Sequence, residues 1–122
     1  MAITSFTQLR TWQKARQFAV RVYEDTLDFP DDEKYALTSQ IRRSSSSVSA
    51  NIVEGFSRTG AKEKKQFYHV ALGSLTETMS HMYIASDLGF CKPDTLKWYE
   101  QESEELHKMI NGMIKTSTGR AA

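Results

Sequence analysis

Three histidines are the residues whose type and spacing come nearest to a metal site. A dinuclear metal site in a helix bundle needs a glutamate three residues before a histidine on each of two helices, with further glutamates from the other two. Only His107 follows such a glutamate, Glu104, and that pair lies partly on the solvent side of its helix. His69 and His81 lack this glutamate. We therefore expect no metal site and no cofactor.

Nucleophilic catalysis has equally little support. Cys91 is the single cysteine, and its place near a helix start would favour a low pKa, although a lone cysteine at a turn is more often inert. The serine run Ser44–Ser47 has no base placed to activate it, so we expect it to let two helices approach closely. No glycine-rich phosphate loop and no Gly-x-Ser-x-Gly elbow is present. The sequence predicts a protein that is not an enzyme and has no small-molecule substrate.

Basic side chains form the other candidate site. Between positions 40 and 70, six basic residues stand against two acidic ones, a local charge of 6 − 2 = +4, although the whole chain carries only +1. Helix 1 adds a second basic stripe. Such stripes contact phosphates rather than bases, so binding would be sequence-independent and salt-sensitive. The residues expected to contact nucleic acid are Arg10, Lys14, Arg21, Arg42, Arg58, Lys62, Lys64 and Lys65.

Prolines and glycines divide the chain into the segments that must position these residues. The two prolines, Pro30 and Pro93, mark boundaries because helix interiors exclude proline, and two aspartates after Pro30 can cap a helix. Gly60 breaks the middle of the chain, and Gly89 suits a left-handed C-cap. We expect helices over roughly 6–28, 32–58, 62–88 and 93–117.

Short connections make consecutive helices antiparallel neighbours. The sequence therefore predicts an all-α, antiparallel up-and-down four-helix bundle, a single domain over residues 1–122. No stretch reaches the ~20 apolar residues of a membrane span, and the N-terminus lacks the pattern of a signal peptide. With one cysteine and no possible internal disulfide, a cytoplasmic protein is expected.

Polar residues among the apolar ones predict a buried network. On helix 1, Arg16 falls inside an apolar arc that includes Trp12, Val22 and Tyr23, with Phe18 nearer the basic stripe. A buried arginine needs a partner, so we expect Arg16 to pair with Glu54 or Glu77. Paired carboxylates would also suit acid–base catalysis, but a structural network is the better interpretation. Its expected members are Arg16, Gln40, Arg43, Asn51, Glu54 and Glu77.

Helix 3 has a wider apolar arc than one bundle core requires. Two apolar lines, offset by about a quarter turn or more, cover about half its circumference. A wide apolar arc usually indicates a second packing partner, although the second line would alternatively pack beneath helix 2 or helix 4. On the first interpretation the protein is a homo-oligomer with an interface that includes Tyr68, Leu72, Leu75, Met79 and Tyr83.

Several short blocks together resemble a known family. The most specific are Gln40–Ser44 and Asn51–Gly55, with further matches at Trp12–Ala15, Phe29-Pro30 and Gly73–Leu75. On these residues the chain resembles the four-helix-bundle proteins encoded in intervening sequences of bacterial 23S ribosomal RNA genes, which are related to accessory proteins of diversity-generating retroelements. The resemblance covers nearly the whole chain, although helix 4 matches only in its apolar pattern.

The resemblance implies a bundle that assembles into a ring-like pentamer. The retroelement relatives engage RNA and a reverse transcriptase through a basic pentamer surface, and this chain departs from them in its nearly neutral net charge. Two hypotheses follow. The protein is either an accessory protein that binds RNA or a nucleoprotein such as a reverse transcriptase, or a structural or protein-interaction module without nucleic-acid binding. Salt dependence separates them, because phosphate contacts weaken steeply with salt.

Overall fold

Four long helices make up almost all of the structure, a computed structural model that describes residues 3–117. They are α1 (Arg10–Asp25), α2 (Leu37–Ser57), α3 (Ala61–Asp87) and α4 (Pro93–Thr116). Short 3-10 turns lie at Phe6–Gln8, Thr26–Asp28 and Asp31–Glu33. No strand occurs between residues 3 and 117. Within the same range, no helix is long and apolar enough to cross a membrane.

The helices pack as the antiparallel up-and-down bundle that the short connections predict. Each helix packs against the next one in sequence, and α1 also packs against α4. The pairs α1/α3 and α2/α4 therefore lie on the diagonals of the bundle. Both ends of the connection between α2 and α3 lie at one end of the bundle, together with the start of α1 and the end of α4.

Gly89 ends α3 as predicted. Its φ is +79°, a backbone conformation that glycine adopts without strain. The Phe90 N–H donates to the Ala85 carbonyl at 2.8 Å and the Gly89 N–H donates to Ser86 at 3.0 Å, which is the hydrogen-bond pattern of a Schellman motif. The turn places the centroid of the Phe90 ring 5.5 Å from that of Phe29, which lies within the α1–α2 connection.

The start of α2 differs from the sequence prediction. The helix begins at Leu37, about five residues after the predicted start. The aspartates after Pro30 form a 3-10 turn, and it is the Glu33 side chain that accepts the Leu37 N–H, at 3.3 Å. Because the capping carboxylate comes from Glu33, residues 31–36 remain a connection that reaches from α1 to α2.

The core face of α1 is rotated from the one predicted. Its buried residues are Thr11, Ala15, Phe18 and Val22, and the Phe18 ring stands edge-on to Tyr99 of α4 at 5.5 Å. Tyr23, assigned to the apolar arc from sequence, is 45% exposed. The apolar rings of tyrosine and tryptophan carry polar groups that favour the edge of a core, and counting them as core residues displaced the arc.

The prediction of a buried polar network around Arg16 is wrong. Because Arg16 is two residues from Phe18, it points away from the core; it is exposed, with its guanidinium 5.4 Å from the Trp12 ring centroid. Glu54 pairs instead with Arg58 at 3.0 Å, and Glu77 with His81 at 3.2 Å. Both carboxylates are exposed, as are two further predicted members, Gln40 and Arg43.

A smaller polar seam does join α2 to α3, and the serine run supplies it. The hydroxyls of Ser44 and Thr78 are 2.7 Å apart, and Ser74 donates to the Ser47 hydroxyl at 3.0 Å. Asn51, the one predicted network member that takes part, donates to the Ser47 carbonyl at 2.8 Å. The prediction that these serines permit close helix approach is therefore confirmed.

The second apolar line of α3 packs inside the bundle. Tyr68, Leu75 and Met79 are buried, Leu72 is partly buried and Tyr83 is exposed. The predicted interface residues Tyr68, Leu75 and Met79 thus belong to the core of a single chain, as the alternative interpretation had it. The arc is wide because α3 packs against both α2 and α4.

Candidate nucleic-acid interface

The end of the bundle where α2 turns into α3 is basic. The start of α1, the α2–α3 turn and the start of α3 contribute five cationic side chains there, against the two carboxylates of Glu54 and Glu63, and the last turn of α4 adds Lys115. The topology brings them together from three helices, since α1 starts where α2 ends and α3 begins. The cations of this basic end are Arg10, Arg58, Lys62, Lys64 and Lys65.

Two of these cations are engaged within the chain. The Lys64 ammonium donates to the carbonyls of Gly55 and Phe56 at 3.2 and 2.9 Å, so it caps the C-terminus of α2, where a positive charge is favourable. Arg58 pairs with Glu54 and lies over the Phe67 ring at 4.8 Å. Neither side chain is fully available to a phosphate.

The other three cations of the basic end are unengaged. Arg10 and Lys62 are exposed and Lys65 is partly buried. In the part of the chain that the structure describes, no carboxylate lies within 4.0 Å of any of them. They present a positive charge that the fold does not neutralise.

Most of the basic stripe predicted on α1 is engaged in contacts within the chain, chiefly with α4. Lys14 forms an ion pair with Glu102 at 3.2 Å. The Arg21 guanidinium pairs with Asp25 at 2.9 Å and lies 4.3 Å from the centroid of the Trp98 ring. Both cations contact α4, and sequence periodicity alone could not reveal these contacts because Glu102 and Trp98 are about 75–90 residues away from them.

Asp25 is the centre of a partly buried hydrogen-bond cluster in the same region. The hydroxyl of fully buried Tyr99 donates to its carboxylate at 2.6 Å. Burial, followed by this hydrogen bond, raises the pKa of Tyr99 far above its usual range. The phenol therefore stays protonated, so the cluster holds helices together rather than transferring protons.

A groove between the end of α1 and the start of α2 contains functional candidates that sequence reasoning missed. We call it the α1–α2 groove; it has a volume of about 510 Å³. Arg42, predicted from sequence, lines it, but the other cations and the rings were not predicted to act there. Their only sequence signal is the adjacent lysine and tyrosine in a polar connection. The lining residues are Tyr23, Lys34, Tyr35, Thr38, Ser39, Arg42, Arg43 and Ser46.

Other grooves carry acidic groups. One, of about 630 Å³, runs along α1 between Trp12 and Trp98 and includes Glu24. Another, of about 400 Å³ between α3 and α4, is lined by Glu100 and Glu104. A third, of about 350 Å³, contains Asp25 and Asp28. These carboxylates make each of them a poorer site for phosphate than the α1–α2 groove.

Neither metal chemistry nor thiol chemistry is favoured by the geometry. Among residues 3–117, no three or more histidine, cysteine or acidic side chains are grouped so that they could hold a metal ion. Burial raises the pKa of the Cys91 thiol above its usual range, and a hydrogen bond with Ser86 offsets this only in part. The helix-start position considered above therefore does not produce a reactive thiolate.

Comparison with known proteins identifies a family and solved structures of the same fold. The family model of the 23S rRNA-intervening sequence protein matches residues 7–112. A crystal structure of a protein of unknown function from the S23 ribosomal protein family of Bacteroides thetaiotaomicron superposes with a TM-score of 0.79 at 22% identity, covering 86% of this chain and 95% of that one. At that identity the match shows the fold alone. No curated protein gives a significant match.

Proposed function

The chain belongs to the family of 23S rRNA-intervening sequence proteins, and from that premise we propose that it is a non-enzymatic, homo-oligomeric accessory protein of the cytoplasm that binds RNA. The observation that carries the proposal is the basic end, where Arg10, Lys62 and Lys65 have no acidic partner among the described residues. Oligomerisation would repeat these charges around an assembly, which multiplies their attraction for phosphates. A near-neutral chain can in this way bind a polyanion.

Two exposed apolar surfaces support the homo-oligomer. On α1 and the turn that follows it, Val20 and Leu27 are 51% and 75% exposed, and on α3 and its C-cap, Val70, Ile84 and Leu88 are 47%, 46% and 56% exposed. Because α1 and α3 lie on a diagonal, these surfaces face away from each other. Two different surfaces that pair head to tail form a ring when the rotation closes, and the family resemblance suggests five subunits.

The proposal that the protein is not an enzyme rests on the chemistry of its side chains. Tyr99 and Cys91 both have raised pKa values, so neither is poised to act as a base or nucleophile near neutral pH. The hydroxyls of Ser44 and Ser47 in α2 are hydrogen-bonded to side chains of α3. A single cysteine is compatible with the reducing cytoplasm.

RNA binding is tested by filter binding at two salt concentrations with a labelled RNA. Lys64 is left unchanged in the variant, because it caps α2 and its loss would perturb folding. Lys62→Ala/Lys65→Ala should weaken binding and reduce the salt slope by about 1.4, for two phosphates at about 0.7 each on single strands. The matched control is Lys97→Ala/Lys108→Ala, which removes two exposed lysines from α4 and should leave binding nearly unchanged. Absence of binding by the wild type at low salt would refute the proposal.

The oligomer is tested by light scattering. Val20→Lys on α1 and Ile84→Lys on α3 should each yield monomers, because each removes one of the two surfaces that pair. An equimolar mixture should form heterodimers, since one variant retains the α3 surface and the other the α1 surface. A monomeric wild type at micromolar concentration would contradict the assembly, and a mixture that stays monomeric would contradict the head-to-tail arrangement.

A further inference from the structure

The α1–α2 groove combines the groups that single-stranded nucleic acid requires. Its lining holds three cations and two aromatic rings but no carboxylate, and its volume of about 510 Å³ is in the usual range for small-ligand sites. Proteins that bind single strands pair cations for the phosphates with rings on which bases stack.

Arg42 is held in place before any ligand arrives. Its Nε donates to the Thr26 hydroxyl at 2.9 Å, and its guanidinium carbon lies 4.8 Å from the centroid of the Tyr23 ring. A guanidinium has five N–H donors, so most remain free for an anion. No carboxylate of residues 3–117 forms an ion pair with Arg42 or with the neighbouring Arg43.

Tyr35 supplies the stacking surface. It is 88% exposed, and the Lys34 ammonium lies 5.5 Å from its ring centroid. The ring is thus displayed beside the cations instead of being buried. Base–aromatic stacking is tolerant of sequence because every base has a flat apolar face.

We propose that the α1–α2 groove holds unpaired nucleotides of RNA, with phosphate at Arg42 and Arg43 and a base stacked on Tyr35. This inference rests on the proposed RNA-binding function and names the form of RNA that is recognised. The exposed ring of Tyr35 favours unpaired nucleotides, because the bases of a duplex are stacked on each other and only unstacked bases are free to stack on a protein ring.

The experiment measures fluorescence anisotropy with a labelled twelve-nucleotide oligouridylate and with a labelled RNA duplex of the same length. Tyr35→Ala should weaken binding of the single strand about tenfold, the loss of one stacked base, and leave duplex binding unchanged. Tyr35→Phe, which keeps the ring, should bind like the wild type. Since Tyr35 is exposed, equal melting temperatures of the variants will exclude an effect on folding.

The outcomes separate this inference from the function on which it rests. If Lys62→Ala/Lys65→Ala weakens binding of both RNAs while Tyr35→Ala and Arg43→Ala change neither, RNA binding stands and the groove is refuted. If the wild type binds neither RNA at low salt, both proposals fail. Displacement of the oligonucleotide by micromolar uridine monophosphate would identify a free-nucleotide site and overturn the assignment to RNA.

Discussion

Gly55 is the position where the packing of α2 against α3 is most sensitive to one added carbon atom. A Cβ at Gly55 would lie 2.4 Å from Cε1 and 2.7 Å from Cδ1 of Tyr68. Optimal carbon–carbon contacts are about 3.5–4.0 Å, so ring or helix must move by roughly 1 Å. Tyr68 is only 3% exposed, so its ring cannot move without displacing neighbouring side chains of a close-packed core.

The magnitude follows from two opposing effects of Gly55→Ala. Replacing glycine by alanine inside a helix stabilises by about 0.8–1 kcal/mol, whereas forcing an extra carbon into a packed core costs about 1–3 kcal/mol. The contact is short enough for the upper half of that range, so we expect a net destabilisation of about 1–2 kcal/mol. At about 4 °C per kcal/mol, the melting temperature should fall by about 4–8 °C.

Two glycines serve as matched controls in urea and thermal unfolding followed by circular dichroism. Gly73 in α3 and Gly112 in α4 are exposed, and nothing lies within 4 Å of a Cβ built at either. Gly73→Ala and Gly112→Ala should therefore stabilise by about 0.5–1 kcal/mol, at a fixed protein concentration. Adding Tyr68→Leu to Gly55→Ala should recover much of the loss, as a coupling energy. The reasoning is refuted if Gly55→Ala stabilises the fold as much as Gly112→Ala.

Three other experiments test the fold. Gly89→Ala should cost about 1–2 kcal/mol in urea unfolding, because φ is +79°; an unchanged midpoint would contradict this. Ser44→Ala should cost about 1 kcal/mol, and adding Thr78→Val should cost less than the sum of the two, since both remove one 2.7 Å hydrogen bond. Burial and the Asp25 hydrogen bond raise the pKa of Tyr99, so the folded state keeps a proton that the unfolded chain loses near pH 10. Stability should fall as pH rises above about 10, and Tyr99→Phe should show a shallower fall between pH 9 and 11.

Boundaries set by local chemistry were predictable from the sequence. Gly89, Gly60 and Pro93 act through backbone conformation alone, so the ends of α3 and the start of α4 lie within one residue of the prediction. The start of α2 was not predictable in the same way. Aspartates after a proline are good caps, but here the Glu33 carboxylate caps α2 instead. The distance that the chain must cover between α1 and α2 decides which of these acidic residues caps the helix.

Which face of a helix is buried depends on partners that the sequence does not name. Phe18 is buried because its ring packs against Tyr99 of α4, whereas the ring of Tyr23 lies outside the core, beneath the Arg42 guanidinium. Periodicity treats both as equal apolar residues. The same ambiguity led to the wrong predictions that Arg16 is buried and that the second apolar line of α3 lies outside the core of a single chain.

The basic residues show most clearly what the sequence contains and what it omits. All eight predicted nucleic-acid contacts carry positive charge, yet Lys14, Arg21 and Arg58 pair with carboxylates and Lys64 caps α2. Charge is a property of the residue, but availability is a property of the tertiary contacts around it. A surface with few internal partners is therefore better evidence of a binding site than a count of cations. By that measure the unengaged lysines of the basic end and the carboxylate-free lining of the α1–α2 groove are the two surfaces on which the proposed RNA binding would depend.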